Sequence, residues 1–437
     1  MQAIKDKLSF FQLPREDRGS ILKAFFFFYF VLCSWYSIRP VRNEMAVQAG
    51  LENLPGLLSI VLLIMLIANP IYSWMVSNID RNRVVIYTYL FFIANLICFF
   101  LGWVSFDNEV RVFIAKAFYI WCNVFSFFVV SIFWVSMINH FTSEQGKMYF
   151  GIISAGGSLG AFSGSSIARY FSTEVCGTSS MSDWGPFSLI LISILGLTIA
   201  LLLSTNFKSR LADEEIEPEE VTSTKGIGSM LIPIKGSMLG NLSLYMVLWT
   251  ALMTFGWMIA LSIVQDWSTD PCERTGFFAR IEQIVTPLTL FFQFFLTSLI
   301  FRKVGIGLIL VSYGLILFLA LIFYEAYPEI MTVLFVVCVL RTFEYALCKP
   351  ARETMFTYLK TQQRYKSTVF MDTFLARAGE VLGSWFAASG VVLLGLSSLA
   401  ATYAALPFAA LLSYTCLLYT SDAADERSSV DLGGRRI

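Results

Sequence analysis

The chain has 437 residues, of which 57% are hydrophobic, 16% aromatic and only 14% charged, and its mean hydropathy is +0.68. Ordinary globular domains carry roughly 45–50% apolar and about 25% charged residues, so a soluble domain of this length has nowhere to hide so much apolar surface. Lys plus Arg (31) balance Asp plus Glu (31) and no polybasic run occurs, which excludes a basic nucleic-acid binder together with a soluble enzyme and a disordered protein. The eight cysteines are irregularly spaced without a CxxC pair and spell neither a zinc site nor a disulfide framework.

A helix needs about 20 mostly apolar residues to cross a hydrocarbon core roughly 30 Å thick. Such spans are predicted over 21–38, 54–76, 84–104, 111–138, 150–171 and 187–204, and again over 241–264, 277–300, 306–325, 328–348, 369–390 and 392–413. Residues 1–20 form a charged arm, and the first span lacks a signal-peptide cleavage pattern, so it reads as a retained helix. One half, 21–204, is separated from a second, 241–415, by the polar stretch 205–240. Its run Asp213-Glu214-Glu215-Ile216-Glu217-Pro218-Glu219-Glu220 repels itself and suits a solvated linker.

If every span crosses, the arm, the turn Asp80-Arg81-Asn82-Arg83, Lys147, the linker, Arg302-Lys303 and the segment 349–366 share one side. The opposite loops 172–186 and 325–329 carry no Lys or Arg, and this asymmetry predicts both termini to be cytoplasmic. Each half also places a short basic turn after its second span, at Asp80, Arg81 and Arg83 and at Arg302 and Lys303. The positional repeat resembles the major facilitator architecture, whose corresponding loops carry an Asp/Arg/Gly turn, and makes these residues candidate cytoplasmic gate loops.

A charge near the bilayer centre costs at least about 2.5–3.5 kcal/mol on insertion scales, so ionisable residues inside spans mark functional positions. They are Arg39, Arg42 and Glu44 at the end of the first span, Lys116 in the fourth and Arg169 in the fifth. Arg280 and Glu282 follow in the eighth, Arg341 and Glu344 in the tenth, and Asp372, Arg377 and Glu380 in the eleventh. Residues three apart share a helix face, so Arg341/Glu344 and Arg377/Glu380 are expected ion pairs, whereas Arg39 and Arg42 do not neutralise each other. Surplus positive charge in a low-dielectric cavity favours an anion, because guanidinium forks fit phosphate or carboxylate oxygens. Arg39, Arg42, Lys116, Arg280, Arg341 and Arg377 are therefore candidate substrate-binding residues, and Glu44, Glu282, Glu344, Asp372 and Glu380 candidate coupling or gating residues. The competing readings are structural ion pairs that let the helices insert, and an Arg39/Arg42 anchor at the outer membrane surface.

Other signals are weaker. Gly156-Gly157-Ser158-Leu159-Gly160 with Gly164 lacks the GK[ST] of a phosphate loop and suits close helix packing. Pro70 and Pro287 fall inside spans as candidate kinks. His140 is the single histidine, so no hydrolytic or metal set can be assembled, and neither enzyme activity nor a cofactor is expected. Cys176 and Cys272 fall in loops on one side, where a pairing is open to them, with unpaired thiols the default expectation. From Cys416 the lipid composition stops, and Cys416-Leu417-Leu418-Tyr419-Thr420-Ser421-Asp422-Ala423-Ala424-Asp425 resembles one translated frame of a transposase-end sequencing adapter. Residues 416–437 are set aside on that ground as an expected artefact.

Four segments resemble the nucleotide exchanger family, the ATP:ADP antiporters of plastids and intracellular bacteria and their bacterial relatives. They are Ile38-Arg39-Pro40-Val41-Arg42-Asn43-Glu44-Met45, then Phe133-Trp134-Val135-Ser136-Met137-Ile138-Asn139 running into Glu144-Gln145-Gly146-Lys147-Met148-Tyr149-Phe150-Gly151, then Lys349-Pro350-Ala351-Arg352-Glu353, and Asp372-Thr373-Phe374-Leu375-Ala376-Arg377-Ala378-Gly379. Three departures fall where charge matters. Arg42-Asn43 replaces a Lys-Asp, Ile120 stands before Trp121 where the exchangers carry Glu, and Glu380 occupies the place of a Lys.

The resemblance implies an all-α membrane protein with twelve transmembrane helices in two six-helix halves of major facilitator type, in a bacterial inner membrane. It implies secondary active transport of a small organic anion, a nucleotide or phosphorylated metabolite first, by a monomer whose partners are solute and lipid bilayer rather than nucleic acid. The alternatives are a proton-coupled symporter or exporter in which Glu344, Asp372 or Glu380 titrates, and a non-transporting scaffold or sensor.

Overall fold

A computed structural model describes residues 15–78, 81–176, 184–205, 207, 237–356, 370–392 and 403–415. Residues 1–14, Asp80, nearly all of the linker and the tail from Cys416 lie outside it. Among the described residues the chain is all-helical, with no strand. The helices are α1 (Arg15–Gln48), α2 (Leu54–Asn78), α3 (Arg81–Ser105), α4 (Asn108–His140), α5 (Ser143–Tyr170) and α6 (Leu189–Ser204). There follow α7 (Ser237–Trp267), α8 (Pro271–Val304), α9 (Ile306–Ala326), α10 (Ile330–Phe343, extended through Lys349–Phe356), α11 (Met371–Leu375 running into Ala376–Val392) and α12 (Tyr403–Thr415). Nine of these twelve are long and apolar enough to cross a membrane, and the chain is an integral membrane protein. The other three are Gly- and Ser-rich α5, charged α11 and the described part of α12.

Helix boundaries follow local chemistry. α1 begins at Arg15, ahead of the predicted span, so part of the arm is helical. Thr142 starts α5 with a reciprocal capping box: its hydroxyl accepts from Gln145 N at 3.3 Å and Gln145 Oε1 accepts from Thr142 N at 3.1 Å. Asp270 accepts from Cys272 N at 2.9 Å to cap α8, with Pro271 at the first helical position. Gly305, at φ 83°, turns α8 into α9 in a backbone region that favours glycine.

The apolar core falls into two clusters, one drawn mainly from α1–α6 and the other mainly from α7–α12. α1 packs along α5 and α6, and six helices later α7 packs along α11. The clusters meet where α5 lies on α8 and α2 lies on α11, with α1 also reaching α8. Glycine sets the close crossings: a Cβ at Gly156, Gly160 or Gly164 would fall on the carbonyls of Phe25, Tyr29 and Cys33 of α1. At Gly383 it would fall on the Ala251 carbonyl of α7. The glycine run is therefore a packing surface, as expected of small residues between membrane helices.

Among the described residues π turns occur at four places, ending α5 at Phe171–Val175 and lying at Phe292–Leu296, Glu344–Cys348 and Met371–Leu375 in α8, α10 and α11. Pro40, Pro70 and Pro287 lie inside helices, and the second π turn follows Pro287 by five residues. The expectation of unpaired Cys176 and Cys272 is corrected: they form a disulfide with a Cα–Cα separation of 6.0 Å, joining the end of α5 to the start of α8. Capping by Asp270 fixes Cys272 in the first turn of α8, beside the point where α5 ends. We call the end of the bundle that carries this bond distal, and the end where α1 begins proximal.

The glycine contacts predict opposite signs for one substitution. Gly160→Ala and Gly383→Ala press a methyl into backbone and are expected to cost about 1–3 kcal/mol. Gly151→Ala, where a Cβ meets nothing within 4 Å, is expected to be neutral or to stabilise by up to about 1 kcal/mol through helix propensity. Thermal unfolding of the purified variants in detergent measures both.

Candidate functional site

Burying a carboxylate in a helix bundle demands a cation on it, and Glu282 of α8 has two. Arg39 Nη1 of α1 donates to Glu282 Oε2 at 3.1 Å, and Arg341 Nη1 of α10 donates to Oε1. The Glu282 side chain is 2% exposed and those of the arginines 11% and 13%, so the triad is shielded from water and leaves one positive charge in excess. Aromatic faces hold the guanidinium groups: Arg39 lies 5.2 Å from the Tyr36 ring centroid and Arg341 5.0 Å from that of Trp257. Arg39 Nε is buried and makes no hydrogen bond.

One turn further along α1, Arg42 meets only neutral oxygens. Its Nη2 and Nε donate to Asn43 Oδ1 at 2.8 and 3.3 Å, and Nη1 reaches Asn123 Oδ1 of α4 at 3.5 Å. Asn123 is itself oriented by donating to the Tyr119 carbonyl at 2.8 Å. Tyr119 is within electrostatic reach of Arg42 and of the Arg377/Glu380 pair on α11, whose nitrogen and oxygen are 2.7 Å apart. Around the middle of the bundle four arginines thus face two carboxylates. Beside them, between α7, α9 and α10, lies a cavity of about 100 Å³ lined by Trp257, Tyr324, Leu340 and Arg341 among others.

A separate pair closes the distal end. Arg274 of α8 binds Glu44 of α1 bidentately, Nε to Oε2 at 2.8 Å and Nη2 to Oε1 at 2.5 Å, and its Nη1 donates to the Ser268 carbonyl at 2.8 Å. Gln48 adds a donor to Glu44 at 3.0 Å. Towards the proximal end, Arg352 of α10 stands between Glu344 and Asp372, 3.9 and 3.7 Å away.

Two sequence expectations need correction. Arg341 does not pair with Glu344, because Arg341 is engaged by Glu282 across the bundle while Glu344 faces Arg352 of its own helix. Arg39 is not an unpaired cation, because α1 packs against α8 and brings it to Glu282. Arg377 and Glu380 pair as expected. Lys116 is half-buried and Arg280 exposed, and among the described residues neither makes an ion pair or hydrogen bond. Arg169 donates to Gln283 Oε1 at 3.1 Å, adding a contact of α5 with α8.

Of the basic turns, Arg302 and Lys303 are exposed in the last turn of α8, Arg83 is exposed on α3, Arg81 begins α3, and Asp80 lies outside the described residues. Arg274, Asn123 and Tyr119 escaped the sequence reading, and Arg352 and Asn43 entered it only as parts of motifs, without a contact assigned. The available signal was Glu44, a buried-span acid with no base one turn away, which requires a cation from another helix. Among the described residues no cluster of His, Cys, Asp and Glu could hold a metal ion.

No protein-family model and no curated protein matches the sequence. Solved structures do. The nucleoside transporter NupG superposes with a TM-score of 0.64 at 11% identity, over 92% of this chain and 98% of that one. A bacterial homologue of the human lysosomal transporter Spinster, in an inward-facing and unoccupied conformation, gives 0.57 at 13% identity over 95% and 97%. The peptide transporter POT in complex with alafosfalin gives 0.61 at 13% identity over 93% and 95%. The fold is the major facilitator fold.

The Glu44–Arg274 pair makes a prediction of its own. Removing one partner strands a buried charge, so Glu44→Gln and Arg274→Gln are each expected to cost about 3–5 kcal/mol. The double variant is expected to lose clearly less than the two costs together, as coupling between contacting residues requires. A double-mutant cycle in thermal unfolding of the purified protein checks this.

Proposed function

We propose that the protein is a secondary active transporter that moves a small organic anion across the membrane by alternating access, with a nucleotide or another phosphorylated metabolite as first candidate. The observation that carries the reading is the charge surplus at the centre of the fold: Arg39, Arg42, Arg341 and Arg377 against Glu282 and Glu380. Two positive charges stay uncompensated where water is scarce, and an anion of matching charge relieves that cost.

Arg42 is the first contact, because neutral Asn43 and Asn123 orient its fork without occupying it with charge. In the exchangers that the chain resembles, an Asp stands at the place of Asn43, and the loss of that acid here is what leaves the cation free of a counter-charge. Glu282 acts as a resident anion between Arg39 and Arg341, so an arriving phosphate or carboxylate competes with it for those two forks. Lys116 and Arg280 add field without contact. Glu380, where the exchangers carry Lys, neutralises Arg377 and points to a solute less highly charged than the one that family carries.

Two of the solved transporters that share the fold carry nucleosides or peptides by name, which supports a small solute as cargo. The Lys and Arg bias assigns the proximal end to the cytoplasm. A disulfide at the distal end suits an oxidising exterior, in keeping with that orientation.

Counterflow in proteoliposomes tests the reading. Labelled nucleotide, phosphate ester or dicarboxylate uptake is expected to require an unlabelled anion of the same class inside. Arg42→Gln removes a charged hydrogen-bond donor worth about 1.5–3 kcal/mol, so half-saturation is expected to rise roughly tenfold to more than a hundredfold. Uptake of neutral solutes alone, or anion uptake indifferent to Arg42→Gln in correctly folded protein, would overturn it.

A further inference from the structure

Two π turns bring carboxylates to one arginine. The turn Glu344–Cys348 interrupts α10 at Glu344, and the turn Met371–Leu375 opens α11 around Asp372. Arg352 Nη1 lies 3.9 Å from Glu344 Oε1 and its Nη2 3.7 Å from Asp372 Oδ1, both beyond hydrogen-bond range. The side chains of Glu344 and Arg352 are 7% and 5% exposed, whereas Asp372 is 38% exposed. Glu344 Oε2 and Arg352 Nε are buried without any hydrogen-bond partner. π turns give up regular helix geometry and recur at functional positions, and here each one delivers an acid to the same cation.

The charges do not balance. The groups that face Glu344 are Arg352 and Lys349 of its own helix and Asp372 of α11, and Glu353 in turn faces Arg352 and Asp372. Tyr313 of α9 faces Glu344 as well, with its hydroxyl donating to Met253 Sδ at 2.9 Å, and Tyr245 of α7 faces Arg352. Lys349 and Glu353 are exposed and of opposite sign, so one buried guanidinium is shared between buried Glu344 and partly exposed Asp372. The Trp249 ring, 5.2 Å from the Arg352 guanidinium, holds the cation in place. Elsewhere the buried acids are fully served: Glu44 and Glu282 each have an arginine nitrogen on both oxygens. Glu344 is left with a buried oxygen that no protein donor reaches, and a proton is the smallest ligand that removes the uncompensated charge.

We propose that Glu344 Oε2 is a proton-binding site distinct from the arginine cluster, filled and emptied through half-exposed Asp372. The proton comes from water at Asp372 and returns to it, and no other bond changes. With the proton on Glu344, Arg352 belongs to Asp372 and ties α10 to α11. Without it, Arg352 is shared between two anions. Because Glu344 and Arg341 lie on the same helix, occupancy of the proton site biases the position of a residue of the anion site.

The test needs no solute, so its failure and the failure of the anion reading are separable. Infrared spectra of the purified protein in lipid nanodiscs are followed from mildly alkaline to mildly acidic pH, in water and deuterium oxide. A protonated-carboxylic C=O band that shifts on deuteration is expected in the natural protein, lost in Glu344→Gln and kept in Glu380→Gln. Carboxyl-labelled glutamate is expected to move the band in the otherwise natural protein and labelled aspartate to leave it, which assigns the band to a glutamate and excludes Asp372 even if Glu344→Gln does not fold. A band that survives in folded Glu344→Gln, a band that moves with aspartate labelling, or no band at all overturns the proposal.

Discussion

The bridge of Arg39 and Arg341 across Glu282 is the contact on which the centre of the molecule depends. Three helices, α1, α8 and α10, are joined by one carboxylate that water barely touches. Remove the acid and two guanidinium groups repel in a low-dielectric interior; remove one arginine and the remaining pair just balances. The bundle can therefore tolerate a second anion beside Glu282 more easily than it tolerates none. That asymmetry, rather than any single arginine, leaves the middle of the fold with a surplus of positive charge.

The frame around this bridge uses one packing device twice. Gly156, Gly160 and Gly164 let α5 lie on the α1 backbone, and Gly379 and Gly383 let α11 lie on α7 in the same way. Since α5 and α11 also form the contacts between the two sets of helices, with α8 and α2, each is pinned on one side by backbone and faces the other set on the opposite side. Such close contacts hold helices together in lipid, where hydrophobic burial between them contributes little.

Much of this was legible in the sequence, and what was not has a common cause. Every predicted span coincides with a helix, because twenty apolar residues in lipid leave the backbone no other way to satisfy its hydrogen bonds. The last one is described only from Tyr403. The glycine crossing at Gly156–Gly164 and the Arg377/Glu380 pair were readable because both are local in sequence. The partners of Glu44, Glu282 and Glu344 were not. Arg274 is 230 residues from Glu44 and Arg39 is 243 from Glu282, separations at which spacing carries no information. Arg341/Glu344 misled for a subtler reason: three residues apart means one face but not one partner, and each side chain meets a different counter-charge, Glu282 for Arg341 and Arg352 for Glu344.

The bond between Cys176 and Cys272 has a mechanical meaning. It ties the distal ends of α5 and α8 at a single point, and Glu44 with Arg274 fastens α1 to the same first turns of α8. A covalent tether cannot stretch, so this corner of the bundle is a fulcrum. Any widening at the distal end has to swing like a jaw about that corner, with the greatest travel on the side where α2 and α11 meet. There, among the described residues, the contact is held by packing and by a hydrogen bond from Trp385 to Ser59 instead of by sulfur. The two edges are thus held differently, one by a covalent bond and a buried ion pair, the other by packing and a neutral hydrogen bond.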